Sequence, residues 1–481
     1  MLLGFVILYL VVSIGIGLYA ATKVHNARDY IAAGRSLPLY IVMAMVFATW
    51  FGAETVLGIP ATFMEEDLAG LISDPFGASL CLVLFGLFFA RKLYRMNLLT
   101  IGDFYRERYD RRVEVVTGIA IALSYLGWVS AQVTALGLVF NVLSDGVITQ
   151  PQGILIGAAV VLMYTLYGGM WSVALTTFFQ MIVIVLGLFY IAWLISDMTG
   201  GVAPVVEHAA SNAKFNFWPE LNAVAMVAFI SGLLTMGFGS IPQQDVFQRA
   251  NSSRNEHVAV WGTVLGGVAY FLFAAVPIFL AYSANLIDPD LAARWLAEDS
   301  QKLLPELVKG HLPLFAQVIF YGALLSVIMS TASGTLLAPS VTISENVLKG
   351  FVTRRKHMSE HRLLVMTRWV VAVFAVLVTL YALWSLEQET GIHQMVENAY
   401  KVTLVLAFVP LVAGLYWRRA STRGAYFAIV LGLATWLPME FLMPEGEGPI
   451  PPQFAGFLMA IAGMLIGSLT DRRHGHHAPA A

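Results

Sequence analysis

The run FATWFGAETVLGIPATF (residues 47–63) is apolar enough to lie inside a membrane, yet two glycines and a proline interrupt it. Polar Thr49, Glu54 and Thr55 cluster at the same place. Backbone that loses its helical hydrogen bonds at membrane depth is tolerated only where it lines a cavity or is buried in protein. The run therefore predicts a broken spanning helix with a polar site at the break.

A second run of this kind, LLTMGFGSIPQQDVFQR (residues 233–249), lies five spans further on. It also combines glycines and a proline with polar residues, here Gln243, Gln244 and Asp245. Paired broken helices in two halves of a chain indicate a transporter site near the bilayer midplane. Glycine and proline also merely kink membrane helices, and the sequence leaves this alternative open.

The remainder of the chain favours a membrane as its solvent. Of the 481 residues, 58% are hydrophobic and 12% are charged, about half the charged fraction of ordinary soluble domains. Thirteen runs are long and apolar enough to span, at about 1–21, 38–64, 75–95, 114–144, 152–167, 171–197, 221–246, 258–285, 312–348, 364–386, 394–417, 424–442 and 453–470.

We therefore expect an all-α polytopic membrane protein with about thirteen transmembrane helices and a five-plus-five inverted-repeat core of the leucine-transporter type. The repeats are expected at about 38–197 and 221–417. A single transporter domain (1–473) precedes a short cytoplasmic tail (474–481) that we expect to be disordered.

Basic residues are unevenly divided between alternate loops. One set of loops and the C-terminus holds 22 Lys and Arg, and the opposite set holds 4. By the positive-inside rule this places the N-terminus outside and the C-terminus in the cytoplasm of a multi-pass protein of the inner (plasma) membrane. The outer loops are acidic, with Glu65, Glu66, Asp67 and Asp74 among them.

A third polar run, LLSVIMSTASGTLLAPSVTISEN (residues 324–346), lies in span 9. Its hydroxyls at Ser326, Ser330, Thr331 and Ser333 fall largely on one helical face. Sodium prefers hard oxygen ligands, which hydroxyls and the freed carbonyls of a broken helix can supply. Hydroxyls also bond back to their own helix or join neighbouring helices, so this alternative stays open too.

Several runs are similar to the sodium:solute symporter family. They are YTLYGGMWSVALTTFFQ (164–180), SVIMSTASGTLLAPS (326–340) and the break that ends in GIP (58–60). Within that family, ATWFGAE (48–54) and GSIPQQDVFQR (239–249) most resemble the choline-transporting branch. The resemblance covers residues 1 to about 440 and implies sodium-coupled symport by alternating access.

The resemblance also implies a sodium site. Its ligands would be the carbonyls of Ala48, Phe51 and Val327 and the hydroxyls of Ser330 and Thr331. Relatives with a second cation site have an aspartate where this chain has Thr177, and a hydroxyl where it has Gly334. We therefore expect one coupling Na⁺ rather than two.

The same branch surrounds a quaternary ammonium with aromatic rings by cation–π contact. Trp50 and Trp128 occupy matching positions, but Gln243 and Ala78 replace two other rings. We expect a small organic solute, either a cationic amine or a zwitterion, to bind near Trp50, Phe51, Trp128 and Gln243.

Charged residues inside spans are functional candidates by default. Glu54 follows the first break, whereas Glu397 and Lys401 lie four apart on span 11 and can pair. Four roles stay open: Glu54 binds a cationic group, Lys401 meets a carboxylate, the three charges form an outer gate, or they relay protons. Asp245 and Arg249 are expected as a cytoplasmic surface pair, and a cytoplasmic gate pair is the alternative.

Other classes of function are less well supported. The chain has no P-loop, no nucleic-acid motif and no metal-ligand spacing, so we expect neither an enzyme nor a nucleic-acid partner. The expected partners are the solute, Na⁺ and the lipid bilayer, with no obligatory protein partner evident. A sodium-independent carrier and a membrane solute sensor of the same fold are the alternatives.

Overall fold

The computed structural model describes residues 2–352, 359–388, 390–443 and 448–471. Over this part of the chain the secondary structure is helical, and one isolated bridge between Leu37 and Ser253 is the sole β pairing. The predicted disordered tail, residues 474–481, lies outside the described residues.

Thirteen helical segments follow the thirteen predicted spans. They are α1 (Leu2–Ala21), α2 (Leu39–Trp50 and Glu54–Glu66), α3 (Ala69–Arg95), α4 (Arg111–Leu143), α5 (Gln150–Met163), α6 (Gly169–Met198), α7 (Ala223–Gly239 and Gln244–Asn251), α8 (Glu256–Ile287), α9 (Leu314–Leu348), α10 (His361–Glu387), α11 (Ile392–Tyr416), α12 (Thr422–Leu442) and α13 (Pro452–Leu469).

Within the described ranges, nine of these helices are singly long and apolar enough to cross a bilayer, and the two broken pairs raise the number to eleven. The shorter α1 and α5 lie at predicted spans 1 and 5. The all-helical, many-span fold class is confirmed.

Both predicted breaks occur. The two halves of α2 meet at 54°, and the two halves of α7 meet at 45°. The first break begins at Phe51, whose φ of −81° and ψ of 73° leave the helical region. A kink at Gly169 separates α5 from α6, and its φ of 50° is a backbone conformation that favours glycine.

The most buried helices form the centre of the bundle. They are α4, α9 and α11, whereas α6 and α12 are the most exposed. Within this centre, α4 packs against both α9 and α11. Large apolar side chains such as Leu186, Trp193 and Trp369 point outward and are exposed, as expected of lipid-facing surfaces.

One loop assignment is wrong. Asp74 was expected among the acidic residues of the outer loops, but the structure buries it completely at the start of α3. Its carboxylate accepts a hydrogen bond from Tyr270 of α8, whose hydroxyl lies 3.3 Å from that of Thr55 beside the first break. Asp74 precedes Pro75, and such a pair usually marks a loop.

Candidate functional site

The structure brings Thr331 of α9 against the first break, where two of the other residues expected to bind sodium lie. Thr331 Oγ1 lies 2.9 Å from the carbonyl oxygen of Ala48 and 3.5 Å from that of Phe51. Ser330 Oγ donates to the carbonyl oxygen of Val327 at 2.9 Å, three residues earlier on the same helix, which is the local bond that the sequence analysis left open as an alternative. Each of the five residues is at most 1% exposed. The three carbonyls of Ala48, Phe51 and Val327 and the two hydroxyls of Ser330 and Thr331 are neutral hard oxygens of the kind that suits an alkali cation, and we call them the oxygen group.

The first break is stabilised from outside α2. Gln132 of α4 accepts a hydrogen bond from the backbone N–H of Ala53 at 2.9 Å and donates one to Glu54 Oε2 at 2.6 Å. Gly52 lets the carboxylate lie over the break, because a Cβ there would collide with it. A buried backbone N–H that leaves its helix therefore finds a side-chain partner, as membrane burial requires.

Glu54 is the charged centre of the site. Trp128 Nε1 donates to Glu54 Oε1 at 3.1 Å, which complements the bond from Gln132. The carboxylate is fully buried. Among the described residues no Lys, Arg or His lies within 4.0 Å of it. Burying an ionised carboxylate that is held only by neutral donors is costly, and a positively charged ligand would offset this cost.

Three aromatic rings close over this carboxylate. Trp50 lies 5.2 Å from Trp128 and 5.5 Å from Tyr400, and Trp128 lies 5.6 Å from Tyr400, as measured between ring centroids. All three are at most 1% exposed. We call Trp50, Trp128, Tyr400 and Glu54 the aromatic cluster.

Phe51 takes only one of its two expected roles. Its carbonyl belongs to the oxygen group, but its ring packs on Phe47 and Phe273, with centroids 5.0 Å and 5.2 Å away. We therefore place Phe51 with the sodium ligands and not with the aromatic cluster.

The second break reaches the same cluster from α7. Gln243 donates to Ser124 of α4 at 2.9 Å and to Thr403 of α11 at 3.2 Å. A Cβ on Gly239 would lie 2.6 Å from the carbonyl oxygen of Tyr400, so the glycine permits this close approach. The breaks of α2 and α7 thus converge on Tyr400.

Asp245 and Arg249 do not form a surface pair. Both are buried, at 0% and 2% exposure, and Arg249 Nη1 lies 3.4 Å from Asp245 Oδ2. Tyr125 donates to Asp245, and Arg249 Nε donates to the carbonyl of Met45 at 3.1 Å. The pair joins α2, α4 and α7. The expectation of a surface location is wrong because α9 and α2 cover this end of α7.

A fixed positive charge also lies beside α9. The guanidinium of Arg249 rests against Gly334, where an added Cβ would collide with Nη2. Gly334 is about one helical turn from Ser330 and Thr331. A permanent cation therefore occupies the space beside the oxygen group.

A cavity of about 740 Å³ opens above the aromatic cluster. Its lining includes Gly58 of α2, Thr134 of α4 and Glu397 of α11. Glu54 lies one helical turn from Gly58 on α2, and Tyr400 lies about one turn from Glu397 on α11. On α4, Gln132 lies two residues from Thr134 and Trp128 lies six residues from it. The cavity is a vestibule whose floor is the aromatic cluster.

Lys401 contacts a residue of α12 that the sequence analysis did not name. Its Nζ lies 3.0 Å from Glu440 Oε1 of α12, and Trp436 Nε1 donates to the other oxygen of Glu440 at 3.0 Å. Glu397 lies in the vestibule wall. The structure thus brings Trp50, Glu54, Trp128 and Gln243 together and places Glu397 above them and Lys401 toward α12.

Two site residues escaped the sequence analysis. Tyr400 supplies the third ring. It directly precedes Lys401 in α11, and no break marks this part of the sequence. Asp74 retains one buried carboxylate oxygen, Oδ2, that has no hydrogen-bond partner among the described residues. An aromatic residue inside a span is an unspecific signal, and only its position against Trp50 distinguishes Tyr400.

Two interrupted helices that meet around a buried polar site in a many-span bundle define a secondary transporter. The model of the sodium:solute symporter family matches residues 30–432, and the chain belongs to that family. The protein is a multi-pass membrane protein that couples transport of a small solute to sodium, and it is not an enzyme.

Individual relatives agree with this assignment. The chain is 25% identical to the human high affinity choline transporter 1 over 90% of this chain and 75% of that protein. It is also 25% identical to the osmoregulated proline transporter of Bacillus subtilis over 97% of this chain and 94% of that protein.

A solved structure shares the fold over nearly the whole chain. It is the substrate-bound, outward-open state of a Na⁺-coupled sialic acid symporter, with a TM-score of 0.82, 16% identity and 98% coverage of both chains.

Proposed function

We propose that the chain carries a small organic solute with a positively charged nitrogen, either a cation or a zwitterion, at the aromatic cluster. The observation that carries this proposal is the buried carboxylate of Glu54, which accepts a hydrogen bond from Trp128, has no ion-pair partner among the described residues and lies one helical turn from Gly58 in the vestibule wall. Trp50, Trp128 and Tyr400 offer ring faces to the same nitrogen. The choline and proline carried by the two relatives named above both contain such a nitrogen.

Coupling follows from where the sodium would bind. The ligands Ala48 and Phe51 belong to the first break, whereas Val327, Ser330 and Thr331 belong to α9. A bound Na⁺ would hold these elements together, since a charge draws the carbonyl dipoles toward itself. Trp50 lies between the two α2 ligands, so sodium would also set the position of a solute-binding ring.

Alternating access fits the two ends of the site. The vestibule is open, whereas side chains close the opposite end. Glu114 of α4 is fully buried there and contacts Arg111 at 2.7 Å and Asn346 of α9 at 2.9 Å. Inward release would require these contacts to separate, and binding of solute and Na⁺ would favour the closing of the vestibule.

One Na⁺ per transport cycle is the expected stoichiometry. Thr177 and Gly334 lack the carboxylate and hydroxyl of a second site, and the guanidinium of Arg249 lies against Gly334. A second cation at this place would meet a fixed charge of the same sign.

The orientation of the chain in the membrane is argued from its basic residues. The 22-to-4 division of basic residues favours an extracytoplasmic N-terminus, a cytoplasmic C-terminus and the inner (plasma) membrane. The vestibule then faces outward. A single domain with repeats at about 38–197 and 221–417 accounts for the two breaks.

Uptake into proteoliposomes tests the proposal. The purified chain is reconstituted and supplied with radiolabelled choline or L-proline under an inward Na⁺ gradient, with an equal K⁺ gradient as control. We expect accumulation of at least one of them with Na⁺ alone, and its loss in Glu54→Gln. Equal uptake in the K⁺ control would contradict coupling, and unchanged uptake by Glu54→Gln would contradict the site.

A further inference from the structure

Two hydrogen-bond donors in the aromatic cluster lack a protein partner. Trp50 Nε1 and Tyr400 Oη are buried, their residues are 0% exposed, and neither finds a partner among the described residues. Buried polar groups are normally satisfied, so each exception calls for an explanation. The two rings stack at 5.5 Å, which places both donors in the same cluster.

The chemistry of these donors limits what can satisfy them. An indole N–H can only donate, and a phenol hydroxyl has one proton to donate. A group that satisfies both must therefore accept two hydrogen bonds. A carboxylate accepts in this way without needing to donate, because it has two oxygens and a full negative charge.

Glu54 gives the cluster an opposite end. Its carboxylate accepts from Trp128 and Gln132 and lies within ion-pair distance of no Lys, Arg or His in the described part of the chain. The site thus offers a negative charge at Glu54 and unsatisfied donors at Trp50 and Tyr400. A complementary ligand carries a positive nitrogen and an acceptor of hydrogen bonds.

From these contacts we infer that the solute is a small zwitterion. Its positively charged nitrogen faces Glu54, and its carboxylate accepts hydrogen bonds from Trp50 Nε1 and Tyr400 Oη. This inference rests on the proposed function, since it takes the aromatic cluster as the solute site. A cation without a carboxylate satisfies only the Glu54 end, and an anion would meet the charge of Glu54.

The balance of charge at the site also favours a zwitterionic solute. Glu54 and one Na⁺ at the neighbouring oxygen group carry opposite charges. A zwitterion adds no net charge to this buried pair, whereas a cation leaves one positive charge in a medium of low polarity. The vestibule wall agrees, since its Glu65, Glu66 and Glu397 would repel a net anion without opposing a neutral molecule.

Glycine betaine and choline form a matched pair of probes. Both carry a trimethylammonium group, but glycine betaine ends in a carboxylate where choline ends in a hydroxymethyl group. The purified full chain in saturating NaCl is titrated with each compound and with a set of amino acids, and the intrinsic tryptophan fluorescence is followed. We expect glycine betaine or at least one amino acid to bind at least about tenfold more tightly than choline.

Variants then locate the carboxylate. Tyr400→Phe removes one donor and keeps the ring, so the affinity for the best zwitterion should fall about tenfold while that for choline changes less than about twofold. Trp50→Phe should do the same. Tyr321→Phe is the control, because that buried hydroxyl donates to the carbonyl of Pro305 at 2.9 Å, outside the cluster.

The outcomes separate this inference from the proposed function. Tighter binding of choline than of every zwitterion, or equal losses for both probes in Tyr400→Phe, would overturn the zwitterion and leave a sodium-coupled cation carrier. Sodium-driven uptake of choline alone would do so too. Absence of sodium-driven uptake for the whole set would overturn both.

Discussion

Thr331 and Ala48 are 283 positions apart in the chain, yet the hydroxyl of Thr331 lies 2.9 Å from the carbonyl oxygen of Ala48. This contact ties the middle of α9 to the last turn before the break in α2. The next residues of α2 reach Trp50, and then Glu54 beyond the break. Two of the proposed sodium ligands, Ala48 and Phe51, therefore share one short stretch of backbone with Trp50, and a bound ion would influence the solute through this stretch.

The sodium site predicts the effect of removing one oxygen. Thr331→Ala should weaken the apparent Na⁺ affinity of transport about tenfold or more, since a bond to a charged group contributes about 1.5–3 kcal/mol. Thr331→Ser keeps the hydroxyl and should remain within about threefold of the wild type. The measurement is initial uptake as a function of Na⁺ concentration.

A control variant lies on the same helix. Thr342 bonds back to the carbonyl of Ala338 at 3.2 Å and contributes nothing to the oxygen group. Thr342→Ala should leave the Na⁺ dependence unchanged. If Thr331→Ala and Thr342→Ala had the same Na⁺ affinity, the ligand assignment would be wrong.

Trp128 should act on solute binding through its N–H. Trp128→Phe keeps an aromatic ring but removes the 3.1 Å bond to Glu54, so solute affinity should fall roughly tenfold with little change in Na⁺ affinity. Trp261→Phe on α8 is the matched control, because that side chain is 42% exposed on the outer surface. Calorimetric titration with solute at fixed NaCl measures the solute affinity, and titration with NaCl in the absence of solute measures the Na⁺ affinity. A loss confined to Na⁺ affinity would refute the role of Trp128.

The breaks and the hydroxyl cluster could be predicted from the sequence, because local composition alone reveals them. Gly52, Pro242 and the hydroxyls of Ser330 and Thr331 are unusual inside apolar runs, so each was visible without a structure. Asp74, Asp245 and Arg249 were placed wrongly because depth in the membrane depends on which helices cover a segment. The partner of Lys401 lies 39 residues away, at Glu440, and no spacing rule reveals such a pair.

Gly334 is expected to tolerate no side chain. Gly334→Ala places a methyl group on the guanidinium of Arg249, and overpacking of this kind costs about 1–3 kcal/mol. Its thermal unfolding temperature should therefore fall. Gly322→Ala on the same helix meets nothing within 4 Å and should be neutral or slightly stabilising. Equal unfolding temperatures for the two variants would show that Arg249 is not held against α9.

Lys401 is expected to stabilise the protein rather than bind solute. Lys401→Met leaves Glu440 without its 3.0 Å partner and should reduce stability by about 1–2 kcal/mol, between the values for exposed and buried pairs. Adding Glu440→Gln should restore part of the loss. Unfolding temperature and the solute preference are both measured. Normal stability with selective loss of carboxylated solutes would instead assign the solute carboxylate to Lys401.

Equilibrium binding of ²²Na⁺ to the purified protein tests the central claim most directly, because it requires neither a known solute nor turnover. The arrangement around Ala48 and Thr331 predicts saturable binding of one ion per chain, loss of that binding in Thr331→Ala and its retention in Thr342→Ala. Two ions per chain, or undiminished binding by Thr331→Ala, would contradict it.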